Sequence, residues 1–205
     1  MNTRFFTLFL SFSFLLLNGI LGCSAQNVYP YVYEPYSKHD LVRVNLSGLR
    51  IKVFMDVQCS EYMMSQGRIS DAEAVFPISK SDGSLCVVSE EGPECRTTEL
   101  VIVAPDGTIH DHLTGAVFGT NIIVKQFRIE KDGSIAVYTF IPETTERITI
   151  DECSFQTSKI IPGRIKTEVY KIEKDCFVLK KTVLNDSFEL SCKERTQARS
   201  NLWDL

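Results

Sequence analysis

Residues 100–109 read LVIVAPDGTI, an apolar run that ends in an Asp-Gly turn. Asp-Gly between apolar runs is the strongest short-range signal for a β-hairpin, because glycine readily adopts the positive φ that a tight turn needs. The pattern Asp-Gly-(Ser/Thr)-(Leu/Ile) occurs three times, at Asp82–Leu85, Asp106–Ile109 and Asp132–Ile135. The intervals of 24 and 26 residues between these turns fit two strands each, so the sequence predicts a meander of hairpins.

Alternation between apolar and polar residues extends the strand pattern outward from these turns. Residues 49–57 and 135–141 place apolar side chains at every second position, which is typical of a half-buried strand. Similar segments follow at 147–155, 164–173, 177–184 and 188–192. We therefore expect an all-β fold, either an antiparallel β-sandwich or an up-and-down (meander) barrel of about nine to eleven strands. Residues 60–67 and 192–205 are candidates for short helices.

The first 25 residues have the composition of a secretory signal peptide. Arg4 precedes an apolar run at 5–17, and Cys23-Ser24-Ala25 supplies a small-residue cleavage site. The run is shorter than the roughly 20 residues that span a membrane, and no later run reaches that length. We therefore expect cleavage after Ala25 and a secreted, extracellular product without a membrane span. The residues 20–23 also resemble a bacterial lipoprotein processing site, in which Cys23 would be lipidated.

The mature chain is acidic and long enough for one domain. Removal of residues 1–25 leaves 21 basic and 26 acidic residues, a formal net charge of −5. This charge argues against a nucleic-acid or anionic-membrane surface, because both need clustered lysine and arginine. No Pro-rich or Gly/Ser-rich linker divides the chain. We assign a signal peptide to 1–25, an extended Tyr/Pro-rich arm to 26–45, a single all-β domain to 46–195 and a C-terminal tail to 196–205.

Six cysteines remain once Cys23 leaves with the signal peptide, an even number typical of a secreted disulfide framework. Local turns favour two pairs, Cys86 with Cys95 and Cys176 with Cys192, and elimination then leaves Cys59 with Cys153. Other pairings are compatible with the sequence. Three such disulfides would each stabilise the fold by a few kcal/mol, so we expect a disulfide-stapled domain.

Two kinds of candidate site residue stand out. His110 and His112 are two positions apart, so on a strand both imidazoles would share one face and could ligate one metal ion. The third ligand such a site needs is not evident, and surface histidines beside a turn are the alternative. Asn45-Leu46-Ser47 and Asn185-Asp186-Ser187 are acceptors for N-glycosylation in a eukaryotic secretory pathway.

No motif for a serine nucleophile, a phosphate loop or a zinc protease occurs in the sequence. We therefore favour a secreted, non-catalytic binding domain without a cofactor. A small apolar ligand or lipid is the first hypothesis, because large apolar side chains on the predicted strands could line a cavity. These side chains are Phe118, Phe127, Phe140, Phe155, Phe177 and Phe188.

Two alternatives remain open at the level of the sequence. The first is an extracellular surface module that binds protein or glycan through its hairpin loops and through the tyrosines of the arm. The second is a metal-dependent enzyme that uses His110 and His112.

Overall fold

A computed structural model describes residues 29–34, 40–55, 58–63, 68–91, 95–119, 123–143, 159–192 and 202–203. These residues form thirteen strands and no helix, which confirms the all-β prediction. The strands are β1 (Tyr31–Val32), β2 (Val42–Leu46), β3 (Arg50–Met55), β4 (Gln58–Met63), β5 (Arg68–Pro77), β6 (Ser84–Glu91), β7 (Cys95–Val103), β8 (Ile109–Gly119), β9 (Ile123–Ile129), β10 (Ile135–Pro142), β11 (Lys159–Glu173), β12 (Cys176–Leu184) and β13 (Phe188–Cys192).

Eleven of the described strands form one antiparallel sheet. Its order is β12-β11-β10-β9-β8-β7-β6-β5-β2, with β1 paired to β9 and β13 paired to β11. Strands β3 and β4 form a separate hairpin. Because every strand from β5 to β12 pairs with its neighbour in sequence, the predicted meander is present.

The three Asp-Gly sites lie in turns between β5 and β6, β7 and β8, and β9 and β10. Gly107 and Gly133 adopt positive φ values of 89° and 76°, as the hairpin prediction requires. In the first turn the residue with positive φ is Lys80, at 70°, instead of Gly83. The hairpin between β11 and β12 turns at Lys174 and Asp175, which both have positive φ.

Two expectations from the sequence need correction. Residues 60–63 of the first helix candidate belong to β4. The proposed Cys176–Cys192 bond implies a hairpin between β12 and β13, but β12 pairs with residues 166–173 of β11 and β13 pairs with residues 159–163. The two strands therefore follow one another along the same edge of β11.

The main core cluster unites both halves of the sheet. It includes Phe76, Leu100 and Phe118 from the first half and Phe127 and Ile165 from the second. Ladder pairing between β8 and β9 is confined to two positions, and β1 pairs with the far end of β9. The two halves therefore diverge beyond a short junction and share the core between them. A second cluster, which includes Leu46, Cys86 and Val101, covers part of the first half.

Tyr29, Tyr31 and Tyr33 of the N-terminal segment pack on the main core, and Tyr36 lies outside the described residues. Tyr33 is fully buried, and its ring stacks on Phe127 with the centroids 4.8 Å apart. The Tyr33 hydroxyl lies 2.6 Å from Thr98 Oγ1 and 3.3 Å from Ser89 Oγ. A tyrosine held in this way is not available to an external partner.

The C-terminal pair Leu202 and Trp203 packs against the same core. Leu202 is fully buried, and the Trp203 ring meets Tyr138 edge to face at 5.8 Å. The described part of the tail therefore packs onto the core.

The described part of the chain contains no disulfide, and the strand register argues against both local pairings. Cys86 pairs with Val101, six residues from Cys95 along β7, which is about 20 Å of strand. Cys176 and Cys192 pair with opposite ends of β11, at Glu173 and Lys159. A disulfide requires Cα atoms within about 7 Å, so neither pair fits this sheet.

Several predicted features lie outside the described residues. They are the signal peptide at 1–25 with Cys23, the strand at 147–155, Cys153 with its proposed bond to Cys59, and most of the tail at 196–205.

Candidate functional site

The turns at 78–83 and 130–134 meet the N-terminal segment at one end of the sheet and form an open cleft of about 270 Å³. The lining includes Tyr29, Ile78, Ser79, Lys131, Asp132 and Lys171. The Tyr29 ring stacks on Phe76 with the centroids 5.1 Å apart and the planes 11° apart. The core therefore fixes the orientation of an aromatic ring in the cleft.

The β9–β10 turn positions the charged groups of this cleft. Asp132 Oδ1 accepts hydrogen bonds from the hydroxyl of Ser134 at 2.5 Å and from its backbone N–H at 3.0 Å. These bonds lower the pKa of the Asp132 carboxyl to about 2. Asp132 Oδ2 lies 3.4 Å from Lys171 Nζ, and Lys131 adds a second cation from the turn itself. Two cations and one anion thus line the cleft.

The two candidate metal ligands have different neighbours in the structure. The ladder between β7 and β8 shifts register at His110, which becomes the extra residue of a β-bulge. The bulge breaks the alternation that would place His110 and His112 side by side. His110 acts electrostatically on Asp106 in the turn, whereas His112 Nδ1 lies 3.6 Å from Glu99 Oε2. Among the residues that the structure describes, no group of three or more His, Cys, Asp or Glu is placed to hold a metal.

Glu99 forms a buried polar cluster with residues of the neighbouring strands. Its side chain is 1% exposed, and the Thr114 hydroxyl donates to its Oε1 at 2.7 Å. Burial raises the pKa of the Glu99 carboxyl, while Thr114, His112 and Lys125 oppose the shift. Burial also lowers the pKa of the Lys125 ammonium, against the attraction of Glu99 and Glu168. The cluster places titratable groups inside the sheet, and none of its residues lines the cleft at the turns.

A second buried ion pair links β5 and β7. Glu73 is nearly inaccessible and contacts the Arg96 guanidinium, which also lies over the Phe118 ring at 5.8 Å from its centroid. Glu73 occupies a bulge between Ala72 and Ala74, which turns its side chain out of the regular alternation. We interpret this ion pair as structural, because the Phe118 ring and the Glu73 carboxylate both contact the Arg96 guanidinium.

The two glycosylation acceptors lie at the margins of the sheet. Asn45 is an exposed residue of β2, and Asn185 is half-buried in the connection between β12 and β13. Asp186 and Ser187, which complete the second acceptor sequence, are exposed.

Neither a protein-family model, a curated protein nor a solved structure matches the chain. None of the described segments forms a helix with the length and apolarity that a membrane crossing requires. Function is therefore inferred from the residues of this chain alone.

The sequence indicated hairpin loops and arm tyrosines as binding elements, but not that they meet in one cleft, because Tyr29, Lys131 and Lys171 are 40 or more residues apart. The burial of Glu99, in contrast, could be predicted from the sequence. Glu99 precedes the apolar run 100–103 and shares the face of Val101 and Val103 by alternation, so a buried carboxyl could have been expected there.

Proposed function

We propose that this chain is a secreted, non-catalytic binding module that holds an acidic sugar unit in the cleft between its hairpin turns. The observation that carries the proposal is the convergence of one fixed aromatic ring with two lysines at that cleft. Loops presented by a rigid scaffold are the usual place for such a binding site.

Each part of the cleft suits one part of an acidic sugar. The free face of Tyr29 offers an apolar platform, since its other face stacks on Phe76. Lys131 and Lys171 supply ammonium groups for a carboxylate or sulfate. Ser79 and the ionised Asp132 offer partners for sugar hydroxyls.

The size and openness of the cleft favour one sugar unit of a longer glycan. Its volume of about 270 Å³ lies just below the range of about 300–1,000 Å³ usual for small-molecule sites. An open cleft of this size leaves room for the rest of a glycan chain outside the protein.

The apolar-carrier hypothesis receives less support from the described phenylalanines. Phe118, Phe127 and Phe140 are buried in the core cluster, where Phe118 and Phe127 contact Tyr33. Side chains that fill a core in this way do not leave a space for a lipid. Native mass spectrometry of the protein purified from its source should show no co-purified apolar molecule.

The sheet geometry supports a finer proposal for the architecture. We infer that the two halves face one another as the layers of a sandwich, because they diverge beyond the β8–β9 junction and share one core.

The binding proposal is tested with lactose derivatives that differ only in charge. Isothermal titration calorimetry measures the affinity for each sugar. The carboxylate form, 3′-sialyllactose, and the sulfate form, lactose 3′-sulfate, should both bind about tenfold more tightly than neutral lactose. Lys131→Gln should weaken binding of the acidic sugars about tenfold and leave lactose unchanged.

Lys181→Gln, an exposed lysine on β12 outside the cleft, is the matched control and should bind like the parent protein. Equal affinity for lactose and its acidic derivatives, no measurable binding, or the same loss in both lysine variants would each contradict the proposal.

A further inference from the structure

The two outermost strands of the sheet each carry or adjoin an N-glycosylation acceptor. The strand order begins at β12 and ends at β2. Asn45 lies within β2, and Asn185 directly follows β12. Both acceptors therefore lie at the sheet margins, and margin backbone that no other segment covers can pair with another molecule.

Asn185 occupies the middle of the longest margin. β11 has 15 residues, which is about 50 Å of strand, and β12 and β13 cover its two halves in succession. The residues 185–187 connect them, and the Asn185 backbone N–H donates to the Ile165 carbonyl at 3.0 Å. The acceptor is thus held against β11 at the midpoint of the outer margin.

The β12 side of this margin exposes apolar side chains. Leu179, Val183 and Leu184 are 48%, 36% and 49% exposed, and among the described strands β12 pairs only with β11. A bulge at Lys180 and the charges of Lys180 and Lys181 disfavour pairing of the first part of β12 with another strand. No charged residue separates Val183 and Leu184 from Asn185.

The opposite margin, along β2, is covered at one end. Among the described strands β2 pairs only with β5, but Ser47, just after β2, bridges to Thr108 and donates its backbone N–H to the Gly107 carbonyl at 3.0 Å. Asn45 pairs with Ile69 of β5, whose side chain is 58% exposed, and Leu41 just before β2 is also exposed. An apolar margin of this kind templates strand addition unless something covers it.

We propose that N-glycans on Asn185 and Asn45 cover the two sheet margins and keep the protein monomeric. The sugar comes from a lipid-pyrophosphate-linked oligosaccharide. A bond forms between the asparagine Nδ2 and C1 of the first sugar, the C1–O bond to pyrophosphate breaks, and Nδ2 loses one proton as the lipid pyrophosphate leaves. A hydrated glycan then occupies the space that a second strand would need. This inference does not depend on the ligand of the cleft.

The test uses the full chain, expressed with its own leader in cultured eukaryotic cells. Ser187→Ala removes the Asn185 acceptor, and Ser187→Thr keeps it as a matched control; Ser47→Ala and Ser47→Thr serve the same purpose for Asn45. Intact mass spectrometry should show the loss of one glycan in each alanine variant and none in the threonine variants.

Size-exclusion chromatography with light scattering then measures self-association. Each alanine variant should form oligomers at a concentration about tenfold lower than its threonine counterpart, with unchanged circular dichroism of the monomer fraction. Addition of Val183→Lys to Ser187→Ala should restore the monomer, because a charged side chain at the margin disfavours strand pairing in place of the glycan.

Unmodified Asn185 in the secreted protein would overturn the proposal. Equal self-association of the alanine and threonine variants would also overturn it, as would failure of Val183→Lys to restore the monomer.

Discussion

Glu99 shows how a single buried carboxyl couples this fold to pH. The group is enclosed by Thr114, His112 and Lys125, and burial favours its protonated form, so its pKa lies above the ordinary value of 4.5. The folded state therefore holds this proton at a pH where the unfolded chain has released it. Stability from this group is full below about pH 4.5 and declines as pH rises through the folded pKa.

Glu99→Gln should remove this decline. We expect the difference in unfolding free energy, variant minus parent, to grow as pH rises above 4.5, by about 1.4 kcal/mol for each unit by which the pKa is raised. Urea unfolding at a series of pH values measures this difference. Because His112 lies 3.6 Å from the Glu99 carboxyl, the series is repeated with His112→Gln in both chains. A difference that does not change with pH would contradict the assignment.

Within the strands, β-bulges determine which side chains contact one another across the sheet. In β8 the register shifts at His110 and again near Gly115, and in β12 it shifts at Lys180. At Gly115 the Phe127 ring occupies the place of a side chain, since an added Cβ would lie 2.7 Å from Phe127 Cδ1 and 3.2 Å from Leu100 Cδ1. The bulge and the glycine together let β8 approach the second half of the sheet.

Gly115→Ala should destabilise the protein by about 1–3 kcal/mol, because the added methyl group forces Phe127 to move. Thermal or urea unfolding measures the loss. Phe127→Leu in the same chain should recover part of it, since the two sites share one space. Additive losses in the double variant would show that the ring is not the obstacle.

Period-two alternation and the Asp-Gly turns were enough to predict the strands and the hairpins of the meander. The cleft and the bulges could not be predicted in this way, because they depend on contacts between residues distant in sequence. The bulge at His110 is one example, since a one-residue insertion in the ladder cannot be read from the apolar alternation. Tyr33 is another, because its Tyr/Pro-rich context resembles an exposed arm until the gap between β8 and β9 is seen to receive it.

At the scale of the whole molecule, Gln126 joins the two terminal segments. It is buried, its Nε2 donates to the Tyr33 carbonyl at 3.5 Å, and its Oε1 accepts from the Leu202 backbone N–H at 3.1 Å. The segments at 29–34 and 202–203 thus pack on one core and are both hydrogen-bonded to the Gln126 side chain.

Gln126→Met keeps the volume of the side chain but removes both bonds. We expect a loss of about 1–3 kcal/mol, because the Leu202 N–H loses its partner. Hydrogen exchange should become faster at both terminal segments together, while exchange in the centre of β6 and β7 stays unchanged. Faster exchange at only one of the two segments would show that Gln126 does not stabilise both.

The pairing of β1 with β9 also sets an order of events during synthesis. Tyr31 lies opposite Ile129, so β1, the first of the described strands, has no partner until nearly one hundred residues more have been made. At translation rates of about 5–20 residues per second, this wait lasts roughly 5–20 s. During that time Tyr31 and Tyr33 must stay clear of other chains, because their burial requires β9 to have been translated.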